Sequence, residues 1–213
     1  MIRLILVRHG ETYWNEEGRF QGRIDVELNK NGKDQAMKLA GALKNVKIDA
    51  IYSSPLKRSF LTAEAVAEEH GSNVDQVSEF NEIDHGLWEG STVEQVLEED
   101  GDAYRVWLEN PENASMPSGE DLEDLRSRAV SRLHQIFERH KDGETILVVG
   151  HDATNKVIIC HALGLDNSHF WKIKQGNASI DILEYENGKF RITLLNDTCH
   201  LGGIVDTTTP GAL

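Results

Sequence analysis

The chain has 213 residues, a length typical of one domain or of one domain with a small cap. With 39% apolar and 27% charged residues, it does not belong to the disordered, collagen-like or disulfide-rich classes. The formal net charge of −14, from 22 basic and 36 acidic residues, argues against a general binder of nucleic acids or anionic membranes. Any anion that the protein binds must therefore be held by a local cluster of positive groups.

Three short apolar segments share one pattern, in which β-branched residues end in polar ones and an amphipathic helical pattern follows. The segments span residues 2–7, 49–54 and 145–151. Residues 29–44 lie between the first two and place Ala36, Leu39, Ala40 and Leu43 on one helical stripe. Alternation of buried strands with helices predicts an α/β protein, a three-layer α/β/α sandwich with a mostly parallel sheet.

The middle of the chain predicts a small helical insertion. Residues 91–117 contain a helical stretch followed by a Pro-bounded loop, which we interpret as a cap. A further helix is predicted from Ser118 to about His140, because Ser-Gly-Glu-Asp at its start resembles a capping box. We expect residues 1–213 to form a single domain.

The last part of the chain predicts a hairpin at the edge of the sheet. Two strand-like segments, 179–185 and 190–195, flank an Asn-Gly turn at residues 186–189. This hairpin is the expected interface of a homodimer. The Gly/Thr-rich residues 202–213 are predicted to be a mobile tail.

The cysteines and the apolar segments bear on location. Cys160 and Cys199 are far apart and form no Cys-x-x-Cys pair, which fits a reducing compartment. The apolar run at residues 1–7 is too short for a signal sequence, and no later segment approaches the ~20 apolar residues of a membrane span. We therefore predict a cytoplasmic protein without a membrane partner.

Cationic or near-cationic side chains follow the predicted strands. Arg8 and His9 follow the first strand, Arg58 lies just inside the helix after the second, and His151 follows the third. Ligands of open α/β sheets bind beyond the carboxyl ends of the strands. An Arg next to a buried strand is costly without an anionic partner, so these residues predict an anion site, most simply for phosphate.

Missing motifs narrow the phosphate chemistry. The sequence contains no Gly-x-x-x-x-Gly-Lys-Ser/Thr loop, no Gly-x-Gly-x-x-Gly and no His-Glu-x-x-His pair. We therefore expect no nucleotide cofactor and no metal. The simplest remaining mechanism uses a side-chain nucleophile, and His9 is the candidate, because neighbouring Arg charges should lower its pKa and keep it neutral.

Four motifs, in the same order, resemble the histidine phosphatase superfamily, which includes phosphoglycerate mutases. They are Leu-Val-Arg-His-Gly-Glu-Thr at 6–12 with Trp-Asn at 14–15 and Phe-Gln-Gly at 20–22, Tyr-Ser-Ser-Pro-Leu-Lys-Arg at 52–58, Glu-Ile-Asp-His-Gly-Leu-Trp-Glu-Gly at 82–90, and Gly-His at 150–151. The resemblance covers about residues 2 to 200.

The resemblance implies a phosphohistidine at His9 and a catalytic acid at Glu82, whose pKa neighbouring apolar side chains should raise. It implies that the three non-bridging phosphate oxygens are held by Arg8, Arg58 and His151. It also implies a pocket shared with the motif residues Thr12, Asn15, Gln21 and Gly22.

The residues after Glu82 distinguish the branches of the family. Phosphoglycerate mutases are usually longer and carry an Arg-His-Tyr-Gly-Gly-type stretch there, whereas this chain has Ile-Asp-His-Gly-Leu-Trp-Glu-Gly. The stretch therefore resembles the phosphatase branch. A bisphosphate-primed phosphoglycerate mutase is the alternative, and a phosphate-binding module without turnover is an alternative of another class.

Within that branch the chain is most similar to metal-independent phosphoserine phosphatases. His85 and His200 are candidates to bind a substrate carboxylate, which predicts a small phosphorylated, carboxylate-bearing metabolite as substrate. One departure from the family pattern concerns the second His-Gly-Gly, which is replaced here by His151-Asp152-Ala153. Asp152 would either repel an anionic substrate or bind an amino group.

Overall fold

The structure, a computed structural model, describes residues 1–202, so that most of the predicted tail lies outside the described residues. One six-stranded sheet runs in the order β3-β2-β4-β1-β5-β6. The strands are β1 (Ile2–Arg8), β2 (Ala50–Ser53), β3 (Val74–Gln76), β4 (Thr145–Gly150), β5 (Ile180–Glu186) and β6 (Lys189–Asp197). The α-helices are α1 (Tyr13–Glu16), α2 (Lys30–Leu43), α3 (Lys57–His70), α4 (Val93–Glu109), α5 (Leu122–Phe137) and α6 (Asp152–Ala162).

Strand pairing confirms the mostly parallel sheet. β1, β2, β3 and β4 pair in parallel, and β5 and β6 add an antiparallel edge. The edge hairpin forms at the predicted turn, where Asn187 (φ 50°) and Gly188 (φ 77°) both adopt the left-handed conformation of a type I′ turn. The short strand β3 was not predicted, because its residues are mostly exposed and carry little apolar pattern.

Helices cover both faces of the sheet, which confirms the three-layer sandwich. Alternate side chains of β1 point to opposite faces. Leu4 and Leu6 pack with residues of α5 and α6, whereas Ile5 and Val7 pack with α2 and α3. The stripe predicted for α2 is buried as expected, and the side chain of Asn29 caps the first turn of this helix.

A third apolar cluster lies between the predicted insertion and the ends of α5 and α6. Its aromatic members are Phe20, Trp88, Tyr104, Trp107 and Phe170. The helix α4 supplies two of them and is interrupted at Asp100, whose carboxylate accepts a hydrogen bond from Trp88 Nε1 at 3.1 Å. The insertion is thus anchored to the rest of the chain by aromatic packing.

The predicted start of α5 was wrong. The helix begins at Leu122, and its cap is Asp121, whose side chain accepts hydrogen bonds from the backbone of Glu123 and Asp124. Ser118 cannot cap a helix here, because it has a left-handed backbone (φ 62°) in a tight turn. The neighbouring Gly119 is pressed against the carbonyl of Asp84, so residues 118–120 pack on the loop around Asp84 instead of extending the helix.

Candidate active site

Two neighbouring parallel strands bring two histidines together. β1 and β4 are paired so that Arg8 faces Gly150, and the residue after each strand is a histidine. The backbone N–H of His9 donates to the carbonyl of Gly150 at 3.1 Å, and the His9 and His151 ring centroids are 5.1 Å apart. The predicted site residues His9 and His151 therefore lie next to each other at the carboxyl edge of the sheet.

The hydrogen bonding of His9 determines which of its nitrogens is free to react. Nδ1 lies 2.6 Å from the carbonyl oxygen of Gly10, and a carbonyl can only accept, so Nδ1 carries the proton and Nε2 the lone pair. Burial lowers the pKa of His9 well below its usual value, and Arg58 and Arg8 lower it further. The lowered pKa agrees with the sequence-based expectation, although burial is its largest cause.

The tight turn after β1 holds this geometry. A Cβ at Gly10 would lie 2.5 Å from the backbone oxygen of Gly32 in α2, so only glycine fits between the two segments. The Gly10 N–H also donates to the Thr62 hydroxyl of α3 at 3.0 Å. The loop that carries His9 is therefore clamped by both helices on one face of the sheet.

Both predicted arginines are buried and converge on the histidines. Arg58, fully buried in the first turn of α3, donates to the carbonyls of Ile24 (2.9 Å) and Gly22 (2.7 Å). Burial lowers the pKa of this guanidinium to about 10. Arg8 donates through Nη1 to the carbonyl of Gln175 at 2.7 Å and to Asp152 at 3.3 Å. The Nε of each arginine has no hydrogen-bond partner among residues 1–202.

His151 occupies the N-cap position of α6, but its side chain makes no capping hydrogen bond to the helix backbone. The side chain is fully buried, and neither ring nitrogen has a hydrogen-bond partner within the described part of the chain. Burial and the charges of Arg58 and Arg8 lower its pKa well below the usual value. His151 is therefore a neutral hydrogen-bonding group at neutral pH.

Glu82 lies at the amino-terminal end of α6. Its carboxylate accepts hydrogen bonds from the N–H groups of Ala153 and Thr154 and from the Thr154 hydroxyl, each at 3.2 Å. These donors favour the ionised form, but burial and the neighbouring Asp152 outweigh them and raise the pKa of Glu82. The direction agrees with the expectation from the sequence, which did not identify Asp152 as a cause.

His85 lies on the side of the site formed by the aromatic cluster. Its ring packs edge-on against Phe20 and Trp107, with centroid distances of 5.0 and 6.2 Å. The ring is completely buried, and both nitrogens lack a partner among the described residues. Burial lowers the pKa of His85 to about 3, so this ring is neutral and can donate one hydrogen bond and accept another.

The remaining motif residues near β1 form one hydrogen-bonded group. The Thr12 hydroxyl contacts the Gln21 side chain at 3.0 Å and caps α1, where the Asn15 side chain completes the capping box. Gly22 enters this group through its carbonyl, which accepts from Arg58. Asn177, which was not among the predicted site residues, links the group to His9 by donating to its carbonyl and to Asn15, both at 3.2 Å.

His200 is the predicted site residue that the structure connects least. It is in a short turn, Cys199–Leu201, that packs against α2, and its ring is half-buried. Its ring lies next to the backbone of Ala178, whose N–H donates to the His9 carbonyl at 3.1 Å, but no ring contact within residues 1–202 joins His200 to His9, His85 or His151. Its predicted role as a carboxylate ligand stays a prediction.

Sequence reasoning missed the residues that support the site from behind. Arg128 of α5 donates to the carbonyls of Glu79, Asn81 and Glu82 at 2.7–2.9 Å and thereby fixes the Glu82 loop. In the sequence Arg128 is one charged residue of an amphipathic helix, with no signal to distinguish it. The sequence spacing of Asp152 and Lys156 (i,i+4) is that of an ion pair on a helix, but the sequence did not indicate that this pair is buried.

Two further observations concern metals and membranes. Within residues 1–202 no group of three or more His, Cys, Asp or Glu side chains is arranged to hold a metal ion. In the same part of the chain, no helix has both the length and the apolar character needed to cross a bilayer.

Comparisons with known proteins agree with the geometry. The sequence profile of the histidine phosphatase superfamily (branch 1) matches residues 4–198. A relative named phosphoserine phosphatase 1, from Hydrogenobacter thermophilus, is 41% identical over 95% of both chains.

Solved structures give the same result. Bacillus stearothermophilus YhfR superimposes with a TM-score of 0.90 at 32% identity, covering 94% of this chain and all of its own. A phosphoserine phosphatase mutant from Entamoeba histolytica, in complex with phosphoserine, has a TM-score of 0.85 at 32% identity with the same coverage. The family predicted from the four motifs is confirmed: the chain belongs to branch 1 of the histidine phosphatase superfamily and is a phosphatase.

Proposed function

We propose that this phosphatase hydrolyses a small phosphomonoester through a phosphohistidine at His9, without a metal ion. The observation that carries the proposal is the hydrogen bond from His9 Nδ1 to the Gly10 carbonyl, which leaves the lone pair of a neutral imidazole on Nε2. Arg8, Arg58 and His151 surround this nitrogen with donors suited to the three non-bridging phosphate oxygens.

The first step forms one bond and breaks another. Nε2 of His9 attacks phosphorus, the bond from phosphorus to the ester oxygen breaks, and the leaving oxygen takes the proton of Glu82. The raised pKa of Glu82 keeps this carboxyl protonated to a higher pH than an exposed one. Arg8 and Arg58 stabilise the charge spread over the phosphoryl oxygens in the transition state.

The second step returns the enzyme to its starting state. Glu82, now ionised, takes a proton from a water molecule, and the oxygen of that water attacks the phosphorus of the phosphohistidine. The bond from phosphorus to Nε2 breaks, and inorganic phosphate leaves. Because Glu82 gives a proton in the first step and regains it in the second, the cycle needs no other co-reactant.

A carboxylate-bearing substrate such as L-phosphoserine fits the side of the site next to Glu82. His85 is a neutral ring whose nitrogens have no partner among the described residues, so it can donate a hydrogen bond to a substrate carboxylate. His200 is the second proposed carboxylate ligand. The Entamoeba histolytica relatives with phosphoserine and with 3-phosphoglyceric acid bound support a substrate of this class.

The proposal is tested by release of inorganic phosphate in the presence of EDTA. The panel contains L-phosphoserine, 3-phosphoglycerate, a nucleoside monophosphate and an aryl phosphate, and isomerisation of 3-phosphoglycerate is followed in parallel. We expect hydrolysis of L-phosphoserine to be the fastest among the natural esters. Isomerisation without release of phosphate would instead favour the mutase alternative, and loss of all activity with EDTA would contradict metal independence.

We also propose a homodimer through the edge strand β6. This nine-residue strand has one free edge in the described structure, where its backbone groups can pair with a second copy, and Leu195 on it is 43% exposed. Light scattering after size-exclusion chromatography should give the mass of two chains for the wild type and of one chain for Leu195→Lys. A monomeric wild type would contradict the dimer.

A further inference from the structure

A buried ion cluster lies directly behind Arg8. The Asp152 carboxylate is 2.7 Å from Lys156 Nζ through one oxygen and 3.3 Å from Arg8 Nη1 through the other. All three side chains are less than one-tenth exposed. Two cations therefore share a single carboxylate next to the proposed phosphate site.

Lys156 is held in this place by aromatic side chains. Its ammonium group lies 4.8 Å from the ring centroid of Phe170 and 4.7 Å from that of Trp171. Trp171 is in turn fixed by a hydrogen bond from Nε1 to the carbonyl of Trp107 at 2.6 Å. Cation–π contacts of this kind stabilise a desolvated ammonium, so the charge of Lys156 remains next to Asp152.

The charges of the cluster explain why Asp152 needs Lys156. Asp152 alone would compete with phosphate for Arg8, because it presents a second anion to the same guanidinium. Arg8, Arg58 and Lys156 together carry three positive charges against one on Asp152, which leaves two for a phosphomonoester dianion. Without Lys156 only one positive charge would remain.

Arg8 also has an anchor that does not depend on Asp152. Its Nη1 donates to the Gln175 carbonyl at 2.7 Å, and the Gln175 side chain donates to the buried Asp181 at 3.0 Å. Loss of the Asp152 charge should therefore leave the guanidinium in place. The two anchors can be separated by mutation.

We propose that Lys156 is a positioning residue of the phosphate site, which neutralises Asp152 and so leaves Arg8 free to bind a phosphate oxygen. The proposal rests on the phosphate site described under the proposed function. It assigns a role to the departure from the family pattern at Asp152: the residue is tolerated in a phosphate site because α6 carries its counter-ion one turn later.

The test is a charge rescue, with orthovanadate as the probe and calorimetry as the readout, so that no substrate has to turn over. Lys156→Met should weaken vanadate binding by about tenfold or more, since Asp152 then competes for Arg8. In the double variant Asp152→Asn with Lys156→Met, the affinity should return to within about threefold of the wild type. Lys172→Met, which removes an exposed lysine from the same region, is the matched control and should bind like the wild type.

Each outcome decides the proposal. Wild-type affinity in Lys156→Met, or a loss that persists in the double variant, would overturn it, because a residue that only packs is not rescued by removing the charge of Asp152. If Lys156→Met does not fold, the double variant alone decides: affinity about tenfold below the wild type would overturn the proposal. Failure of the wild type itself to bind vanadate would contradict the proposed phosphate site instead.

Discussion

Burial changes the protonation of the site residues in opposite directions, according to the charge that each group carries. It lowers the pKa of His9 and His85 and raises that of Glu82, because a desolvated site disfavours both imidazolium and carboxylate. The shift of His9 favours the neutral imidazole needed for attack, and the shift of Glu82 extends to higher pH the range in which its carboxyl can give a proton.

Replacement of His9 tests the proposed nucleophile. His9→Ala should reduce phosphate release by at least about a thousandfold, since the proposed covalent intermediate forms on this side chain. Circular dichroism should show an unchanged fold. In the wild type, rapid quenching with labelled substrate should trap an acid-labile phosphoenzyme that the variant lacks, and substantial phosphatase activity in a folded His9→Ala would contradict the assignment.

Replacement of Glu82 tests the proposed acid through the leaving group and the pH. Glu82→Gln should slow the hydrolysis of L-phosphoserine by about a hundredfold or more. Hydrolysis of an aryl phosphate should be slowed much less, because its leaving oxygen needs little protonation. Glu82 loses its proton as the pH rises and can then no longer protonate the leaving oxygen. The kcat of the wild type should therefore fall at alkaline pH, and this fall should be absent from the pH profile of the variant. The exposed Glu68→Gln is the control, and equal losses on both substrates would contradict the role.

Strand ends and helix starts place these residues at the element scale. β1 and β4 are adjacent and parallel, so His9 and His151 emerge side by side, and the start of α6 supplies the N–H groups that hold Glu82. The sequence predicted the α/β order and the sheet type, because short apolar strands and a helical stripe are local patterns. It also predicted the four residues at the carboxyl edge of the sheet, because they follow these strands in the chain. The start of α5 was not, since two acceptable caps lie only three residues apart and a tertiary contact of Gly119 decides between them.

The corrected helix start makes a stability prediction. Asp121→Ala should lower the free energy of unfolding by about 1 kcal/mol, because two backbone N–H groups of the first turn lose their acceptor. Ser118→Gly should leave the stability unchanged or raise it slightly, since glycine adopts the left-handed backbone of this position without strain. Urea denaturation measures both, and a larger loss from Ser118→Gly than from Asp121→Ala would favour the original assignment.

On the scale of the whole molecule, a net charge of −14 surrounds a buried site with a local excess of positive charge. The acidic surface argues against general polyanion binding, while Arg8, Arg58 and Lys156 act over the short distances at which screening by water and salt is weak. We therefore expect the protein to bind small anions that can enter the site in preference to large polyanions.

The stability of the folded chain should depend on the pH through Asp181, which is buried in β5. Burial raises its pKa from 3.8 to about 6, so the folded state holds a proton that the unfolded state has lost between these values. Stability due to this group is therefore greatest below pH 3.8 and is lost as the pH rises to about 6. The shift corresponds to about 3 kcal/mol.

Asp181→Asn tests this dependence. Urea denaturation between these pH values should show a smaller decline in the free energy of unfolding for the variant than for the wild type. The exposed Asp75→Asn removes the same charge and should leave the slope unchanged. An identical slope in Asp181→Asn and the wild type would contradict a titrating Asp181.

The sequence by itself determined the fold class, the family and the residues at the carboxyl edge of the sheet, because strand pattern, helical stripe and motif spacing are all local properties of the chain. Only the tertiary structure decided how these residues are tuned. The free lone pair of His9, the contribution of Asp152 to the raised pKa of Glu82 and the sharing of Asp152 between Arg8 and Lys156 depend on burial and on contacts between residues up to about 144 positions apart. Desolvation and Coulomb interactions act through space, and no spacing in the sequence records them.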